Sequence, residues 1–164
     1  MPGANKNYWL MKSEPDLFSI GHLKARPRQT APWDGVRNFQ ARNFMRAMRK
    51  HDLAFFYHSS CAEPGVAGIV EIVREAYPDS TAWDADSPYF DPRSRPEKPL
   101  WDMVDVRFQR KTKRHIAIAE LRANPKLKQM RLLARGSRLS IMPVTPEQWA
   151  AVLKMESTTP RGKR

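Results

Sequence analysis

Apolar residues in this chain gather in short runs that end in glycine, proline or small polar residues. Runs of this kind, rich in aromatic and β-branched residues, are typical of strands. Strands are predicted over residues 8–11, 53–58, 66–73, 101–113 and 138–144. The small-residue turn at residues 59–65 predicts that the second and third of these runs form a hairpin. Gly68, inside the third run, predicts a β-bulge or the close approach of another group.

Helical periodicity is confined to short segments between the predicted strands. Helices are predicted after Ser19, after Asn38, over residues 117–123 and after Thr145. Serine, asparagine and threonine are favoured at the first position because their side-chain oxygens accept a hydrogen bond from a free backbone N–H. Gln148, three residues after Thr145, completes the pattern of a capping box. The pattern as a whole predicts a sheet with short helices around it.

Two proline-containing stretches interrupt this pattern and are predicted to be loops, at residues 27–32 and 75–100. The longer loop carries Trp83, Tyr89 and Phe90. Loops of this length inside a compact domain are usually functional or disordered, and disordered segments are poor in aromatic residues. We therefore expect residues 75–100 to form an ordered lid or wall.

The charge balance of the chain indicates a class of binding partner. Among 164 residues, 29 are Lys or Arg and 17 are Asp or Glu, which gives a net charge of +12. The excess is segregated, because the stretch from Arg107 to Arg138 holds eleven basic residues and a single acid, Glu120. A chain of this length fits one domain, and the charge favours nucleic acid as partner, with a membrane surface second.

Several classes of site are excluded by composition. Cys61 is the only cysteine, so neither an internal disulfide nor a metal site of paired thiolates is possible. The histidines lack metal-ligand spacing, and no run approaches the roughly 18 apolar residues of a membrane span. They are His22, His51, His58 and His115. We expect a monomeric cytoplasmic protein without metal or cofactor, with residues 1–7 and 156–164 as disordered termini.

The first predicted strand ends in three polar residues, Lys12, Ser13 and Glu14, followed by Pro15. Because the sheet holds their backbone, such residues can form a ligand-reading site, although a solvated strand end is the alternative. Lys12 and Glu14 are two residues apart and would share one face of a strand. In that arrangement they could also act as a pair that activates a nucleophile.

Five motifs together resemble the EVE domain family. They are Tyr-Trp-Leu-Met-Lys-Ser-Glu-Pro at 8–15, Trp-Asp-Gly-Val-Arg-Asn at 33–38, Phe-Phe-Tyr-His-Ser at 55–59, Gly-Ile-Val-Glu at 68–71, and Arg-Leu-Ser-Ile-Met-Pro-Val at 138–144 with Trp149. The resemblance implies one domain over residues 8–155 with an α+β, PUA-like fold, a mixed β pseudo-barrel with short peripheral helices. It also implies binding of a modified base in nucleic acid, DNA or RNA, since EVE domains are similar to the YTH readers that hold methylated adenine in an aromatic cage.

The resemblance also implies a base-binding pocket. Trp33 would be one aromatic wall, and Tyr89 or Trp83 from the long loop would be another. The candidates for its polar part are Lys12, Ser13, Glu14 and Asn38, with Tyr57, His58 and Ser59 at the hairpin end. The alternatives are that Trp33 plugs the end of the barrel and that Tyr57 and His58 are core polar groups.

Basic residues outside this pocket are the candidates for contacts with the nucleic-acid backbone. They are Arg42, Arg46, Arg110, Lys111, Lys113 and Arg114. Trp101 and Trp149 are expected in the core. Because Trp33 lies in a turn, its truncation is expected to cost less than the roughly 3–5 kcal/mol typical of a core tryptophan.

Three functions therefore compete. The first is a non-catalytic module that recognises a modified base in an aromatic-walled pocket. The second is an amidohydrolase-like enzyme acting on modified nucleosides, because some PUA-like relatives have that activity. The third is a sequence-blind RNA or DNA binder whose pocket is only structural. We favour the first.

Overall fold

The strands form one mixed sheet in the structure, a computed structural model that describes residues 6–158. The strands are β1 (Tyr8–Ser13), β2 (Thr30–Pro32), β3 (Leu53–His58), β4 (Gly65–Pro78), β5 (Asp102–Ala117) and β6 (Ile141–Val144). Their order is β2-β5-β4-β3-β1-β6, and β1 runs parallel to β3 while every other pairing is antiparallel. Within the described residues the sheet does not close, since β2 and β6 lie at its two edges.

Short helices lie on both faces of the sheet. They are α1 (Ile20–Lys24), α2 (Phe39–Ala47), α3 (Ile118–Ala123) and α4 (Pro146–Glu156). The predicted caps of α1, α2 and α4 are confirmed, because the side chains of Ser19, Asn38 and Thr145 accept hydrogen bonds from backbone N–H groups. Gln148 completes the capping box of α4 with a bond from Thr145 N of 3.1 Å.

The core is divided by the sheet into two clusters. One contains Trp9 and Met11 with residues of α1 and α2, and the other contains Leu10 and Phe55 with residues of α3 and α4. A strand covered on both faces needs a continuous apolar run rather than an alternating one, which explains consecutive buried residues at 9–11. Trp149 is buried on the second face, stacked on Phe55 with ring centroids 3.9 Å apart.

Two predicted boundaries fall short of the observed ones, and one strand was missed. Residues 27–32 are not wholly a loop, since Thr30–Pro32 pairs with β5 through Ala31 and Val106. This strand has three residues and ends in proline, so it shows no alternation that a sequence pattern could reveal. β4 and β5 extend to Pro78 and Ala117, beyond the predicted ends at 73 and 113.

Both features predicted for Gly68, a β-bulge and the close approach of another group, are present. The register of β4 against β3 and β5 shifts between Val66 and Gly68, which is a β-bulge. A Cβ atom on Gly68 would also lie 2.7 Å from Ile20 Cδ1, so α1 approaches the strand closely at this point. Glycine at this position therefore leaves room for the Ile20 side chain of α1 and for Arg110 O beside the bulge.

The chain ends differ in part from the prediction. Residues 1–5 and 159–164 of the predicted disordered termini lie outside the described residues. Asn7 N donates a 3.3 Å hydrogen bond to Asp52, and Glu156 is the last residue of α4 and is buried. The predicted tail therefore begins too early at 156. No helix in the described part is both long and apolar enough to cross a membrane.

Candidate functional site

A cavity of about 550 Å³ opens at the end of the sheet where the parallel strands β1 and β3 finish. Ser59 N donates a 2.9 Å hydrogen bond to Ser13 O, which holds the two strand ends together. Lys12, Ser13 and Glu14 line the cavity from β1, and Ser59 and Ser60 line it from the turn after β3. The sheet thus presents a row of polar side chains on a fixed backbone.

The polar end of β1 is held in place by neighbouring segments. Ser13 Oγ donates a 2.6 Å hydrogen bond to Phe18 O, which leaves the hydroxyl oxygen as an acceptor. Lys12 N donates a 2.8 Å bond to Ser140 O, and Lys12 Nζ lies 5.9 Å from the centroid of the Tyr57 ring. Burial lowers the pKa of Lys12. This lysine is therefore a partly desolvated cation at the cavity wall.

Trp33 forms an aromatic wall that is continuous with the core. It lines the cavity, yet only 7% of its surface is exposed. Its ring meets those of Phe56 and Phe18 edge-on, at centroid distances of 5.4 and 6.3 Å. Its backbone N–H donates a 2.7 Å bond to Val104 O. The expectation of a weakly packed turn tryptophan is wrong, since Trp33 belongs to the core cluster on the α1–α2 face.

Tyr89 also lines the cavity and belongs to the long loop, which is described throughout. The ring packs directly on Gly35, where a Cβ atom would lie 2.7 Å from Tyr89 Cε1. Gly35 also has a φ of +79°, a conformation that other residues rarely adopt. Both constraints require glycine in the turn after Trp33. Trp83, the alternative wall, does not line the cavity.

Asp79 joins the Trp33 turn to the long loop. Its carboxylate is fully buried and accepts hydrogen bonds from Gly35 N at 2.9 Å and from Arg37 Nη1 at 3.1 Å. It also accepts bonds from Thr81 N at 2.9 Å and from Thr81 Oγ1 at 2.6 Å. Arg37 Nη2 donates a 2.7 Å bond to Tyr89 O. This network positions the Tyr89 wall relative to the sheet.

The sequence matches the family model of the EVE domain over residues 7–155. The chain belongs to the EVE domain family. Thymocyte nuclear protein 1 of Homo sapiens is 49% identical to it over 171 residues, which cover 94% of this chain and 76% of that protein. The family prediction is therefore confirmed.

Solved structures of relatives have the same fold. Human THYN1 in complex with DNA containing 5-methylcytosine has a TM-score of 0.91 and 49% identity, and the likeness covers 94% of this chain and 100% of that one. A protein of Pseudomonas syringae has a TM-score of 0.87 and 53% identity, over 91% of this chain and 99% of that one. The predicted α+β, PUA-like class is confirmed for this EVE domain.

Three predicted pocket residues lie outside the cavity lining of this EVE domain. Asn38 uses its side-chain oxygen to cap α2, accepting a 2.9 Å bond from Ala41 N. Tyr57 is buried on the α3–α4 face, where burial raises its pKa to about 12. His58 Nε2 accepts a 3.1 Å bond from Ile20 N, and burial first, then nearby His115, lowers its pKa. For Tyr57 the structure supports the alternative of a core group, whereas His58 is half-buried and its ring is engaged by α1.

Several cavity residues were missed by the sequence analysis, namely Asp34, Arg37, Phe18, Arg138 and Ser140. Burial raises the pKa of Asp34, and the neighbouring carboxylate of Asp79 raises it further. Asp34 and Arg37 belong to the Trp-Asp-Gly-Val-Arg-Asn motif, so the motif could have identified them. Arg138 and Ser140 belong to the last family motif, at residues 138–144, and no other feature of the local sequence marks them as cavity residues.

Five of the six predicted backbone contacts have partners within this EVE domain, including Lys113, whose Nζ donates a 3.3 Å bond to Ser157 Oγ. Arg110 donates to the buried Glu156 at 2.8 and 2.6 Å, and Arg114 donates to Glu120 at 3.0 and 2.8 Å. Arg46 forms an ion pair with Asp102, and Arg42 Nη1 donates to Leu100 O at 2.9 Å.

These pairs argue against Arg110 and Arg114 as phosphate contacts, since their guanidinium groups already hold carboxylates. Lys111 and Lys113 are exposed, and their role in binding phosphate stays a prediction. All six residues lie outside the lining of the cavity.

The structure does not contain the Lys12–Glu14 arrangement that the sequence suggested for catalysis. Glu14 follows the last residue of β1, and its carbonyl accepts bonds from Leu17 N and Phe18 N at 3.0 and 2.8 Å. Lys12 and Glu14 therefore do not share a strand face, and residues 6–158 contain no ion pair between them. The same residues contain no group of three or more His, Cys, Asp or Glu side chains that could hold a metal ion.

Proposed function

We propose that this EVE domain binds DNA that carries a methylated cytosine and holds the modified base in the cavity at the end of β1, without catalysis. The observation that carries the proposal is the lining of that cavity, which combines aromatic walls with charged and polar groups on a fixed strand end. The likeness to human THYN1, whose complex contains 5-methylcytosine DNA, supports cytosine as the base.

The aromatic residues suit a flat base. Trp33, Phe18 and Tyr89 all line the cavity. Stacking of a base on such a side chain is worth about 1–3 kcal/mol and tolerates any base. A methyl group adds apolar surface between these walls, whereas a plain base leaves that space poorly filled. Stacking thus supplies affinity, and the fit of the methyl group supplies part of the selectivity.

The polar residues suit the edge of cytosine. Cytosine offers one amino donor and adjacent ring-nitrogen and carbonyl acceptors. Asp34 is a carboxyl group that can accept from the amino group, and Lys12 is a cation that can donate to the carbonyl oxygen. Ser13, whose hydroxyl proton is directed to Phe18 O, adds a further acceptor. Because these residues lie in a cavity, the base must leave the stack before it can be read.

The test is a competition titration with two DNA oligonucleotides that differ by one 5-methyl group, followed by mass spectrometry of the recovered DNA. We expect tighter binding of the methylated strand and unchanged mass. Equal affinities would favour a sequence-blind binder, and a changed nucleobase would show an enzyme. The same titration with an RNA oligonucleotide that carries the same base shows whether the sugar matters, because RNA differs from DNA at the binding site by its 2′-hydroxyl groups.

A further inference from the structure

A second cavity, of about 500 Å³, lies beside the one described above. It runs between the start of α2 and the segment that precedes β6. Its lining consists of Asn38, Gln40, Arg131, Ala134, Ser137, Arg138 and Leu139. Arg138 lines both cavities, so the two are neighbours that share this side chain. We refer to the second cavity as the α2 groove.

The α2 groove is positively charged and contains no acid. Arg131 and Arg138 are exposed, and among residues 6–158 neither forms an ion pair with a carboxylate. Arg110 and Arg114, from the same basic stretch of the sequence, are both paired with glutamates. An unpaired guanidinium can still form the two-pronged hydrogen bonds that fit a phosphate group. The α2 groove therefore holds two arginines of this stretch that are available for an anion.

The frame that carries these arginines is fixed. Arg131 lies between Met130 and Leu132, which are both buried, and its guanidinium carbon lies 5.3 Å from the centroid of the Phe44 ring. The segment after Arg138 is fastened to β1, because Ser140 O accepts the bond from Lys12 N. The arginines thus project from an anchored segment, which limits the entropy lost when they bind a ligand.

We propose that the α2 groove binds the sugar–phosphate backbone of the DNA strand that flanks the base, with Arg131 and Arg138 each contacting a phosphate. This inference rests on the proposed function of the neighbouring cavity. A base seated in that cavity is joined to a backbone that must leave through the mouth, and Arg138 lies at the junction. Gln40 and Ser137 add neutral donors of the kind that contact sugars and phosphates.

The test compares charge reversal in the α2 groove with matched reversal elsewhere. The variant carries Arg131→Glu and Arg138→Glu, and the control carries Lys126→Glu and Lys154→Glu, two exposed cations that line neither cavity. Affinity for methylated and plain oligonucleotides is measured over a series of salt concentrations. A milder pair, Arg131→Gln and Arg138→Gln, guards against loss of folding, which is checked by circular dichroism.

We expect the groove variant to bind both oligonucleotides on the order of tenfold more weakly at low salt. The salt dependence of the logarithm of affinity should also become shallower, by about 0.7–0.9 for each phosphate that the variant no longer neutralises. The control pair should show a much smaller change. Arg131→Glu alone should leave the preference for the methylated strand unchanged, since Arg131 does not line the base cavity.

Equal reductions of affinity in the groove variant and the control would overturn the proposal, because the groove would then contribute only to the overall charge. So would an unchanged salt slope in a folded variant. If the parent protein shows no preference for the methylated strand, the proposed function fails first and the inference that rests on it falls too. If the parent prefers the methylated strand and the groove variant binds as tightly as the parent, the proposal for the α2 groove is wrong while the proposed function stands.

Discussion

The two sides of the cavity at the end of β1 are built in different ways. On the strand side, Trp33 is 7% exposed and packs into the core, and Ser13 is held at the end of a paired strand. On the loop side, Tyr89 is 36% exposed and is held by contact with Gly35 and by hydrogen bonds that lead to Asp79. The strand side therefore cannot be altered without affecting the fold. The loop side, by contrast, is attached to the rest of the domain by a small polar network.

This difference separates two kinds of experiment. A change on the strand side will alter stability and binding together, so its effect on affinity needs a control in the core. A change at Tyr89 will report on binding almost alone. Three variants test that division and a fourth, at His58, tests the packing of α1 on the strand end; they are taken in order of their expected effect on the free energy of unfolding.

The largest loss is expected for Trp33→Ala. Because Trp33 is part of the core, we expect its truncation to lower the free energy of unfolding by about 3–5 kcal/mol. Urea unfolding measures this loss, and Trp149→Ala is the matched control, with Trp149 at 5% exposure on the opposite face of the sheet. The folded fraction of the control should keep its preference for the methylated strand, while that of Trp33→Ala should lose it. Equal preference in both variants would remove Trp33 from the base site.

The next loss is expected for Asp79→Asn. The variant replaces a buried carboxylate that accepts bonds from Gly35, Arg37 and Thr81. Hydrogen bonds to charged groups are worth about 1.5–3 kcal/mol each, so we expect a stability loss of that order. Affinity should fall as well, because Tyr89 would lose its support. Asp86→Asn, at an exposed position of the same loop, should change neither quantity; an equal loss there would mean that the loop tolerates no change of charge.

A smaller effect is expected from the protonation of His58. Burial, and then the charge of His115, lower the pKa of His58 below its ordinary value of 6.5. In the window between the two values the unfolded chain binds the proton more readily, so the free energy of unfolding falls as the pH drops. The contribution of His58 is complete above 6.5 and is lost as the pH falls through the lowered pKa.

Urea unfolding from about pH 8 to about pH 5 measures this dependence. His58→Gln keeps an acceptor for Ile20 N but does not titrate. The variant should therefore show a flatter pH profile than the parent. Identical profiles would mean that other groups cause the acid loss.

The smallest change in stability is expected for Tyr89→Ala. An exposed loop position usually contributes within about 0.5 kcal/mol. Loss of one stacking wall should still weaken binding of the methylated strand by about 1–3 kcal/mol, roughly fivefold to more than a hundredfold. Phe90→Ala is the control, since Phe90 is 44% exposed and does not line the cavity. A parent-like affinity in Tyr89→Ala would leave the loop outside the site.

Local chemistry made part of this fold and site predictable. The caps at Ser19, Asn38 and Thr145 depend on a few neighbouring residues, and they lie where the sequence indicates. Asn38 also shows the limit of such reasoning, because it caps α2 as expected but lines the α2 groove instead of the cavity at the end of β1. His58 lies at a strand end as the pattern predicts, but its ring is engaged by α1, which only the packed structure reveals.

The network around Asp79 lay beyond sequence reasoning for a different reason. Its contact with Arg37 joins residues that are 42 positions apart, and no local pattern connects them. The same holds for Arg110 and Glu156, which are 46 positions apart. Counting charges along the chain detected the basic stretch but could not show which arginines are already paired.

The most direct test of the central claim is to locate the bound base within the protein. Isotope-labelled protein is titrated with 5-methyl-2′-deoxycytidine, a nucleoside without phosphate, and followed by two-dimensional ¹H–¹⁵N NMR. We expect the largest shifts at the Trp33 indole and at the backbone N–H groups of Lys12, Gly35 and Ser59, with Lys113 beside Glu156 unchanged. Shifts centred on Lys113, or none at saturating nucleoside, would contradict a base site at the end of β1.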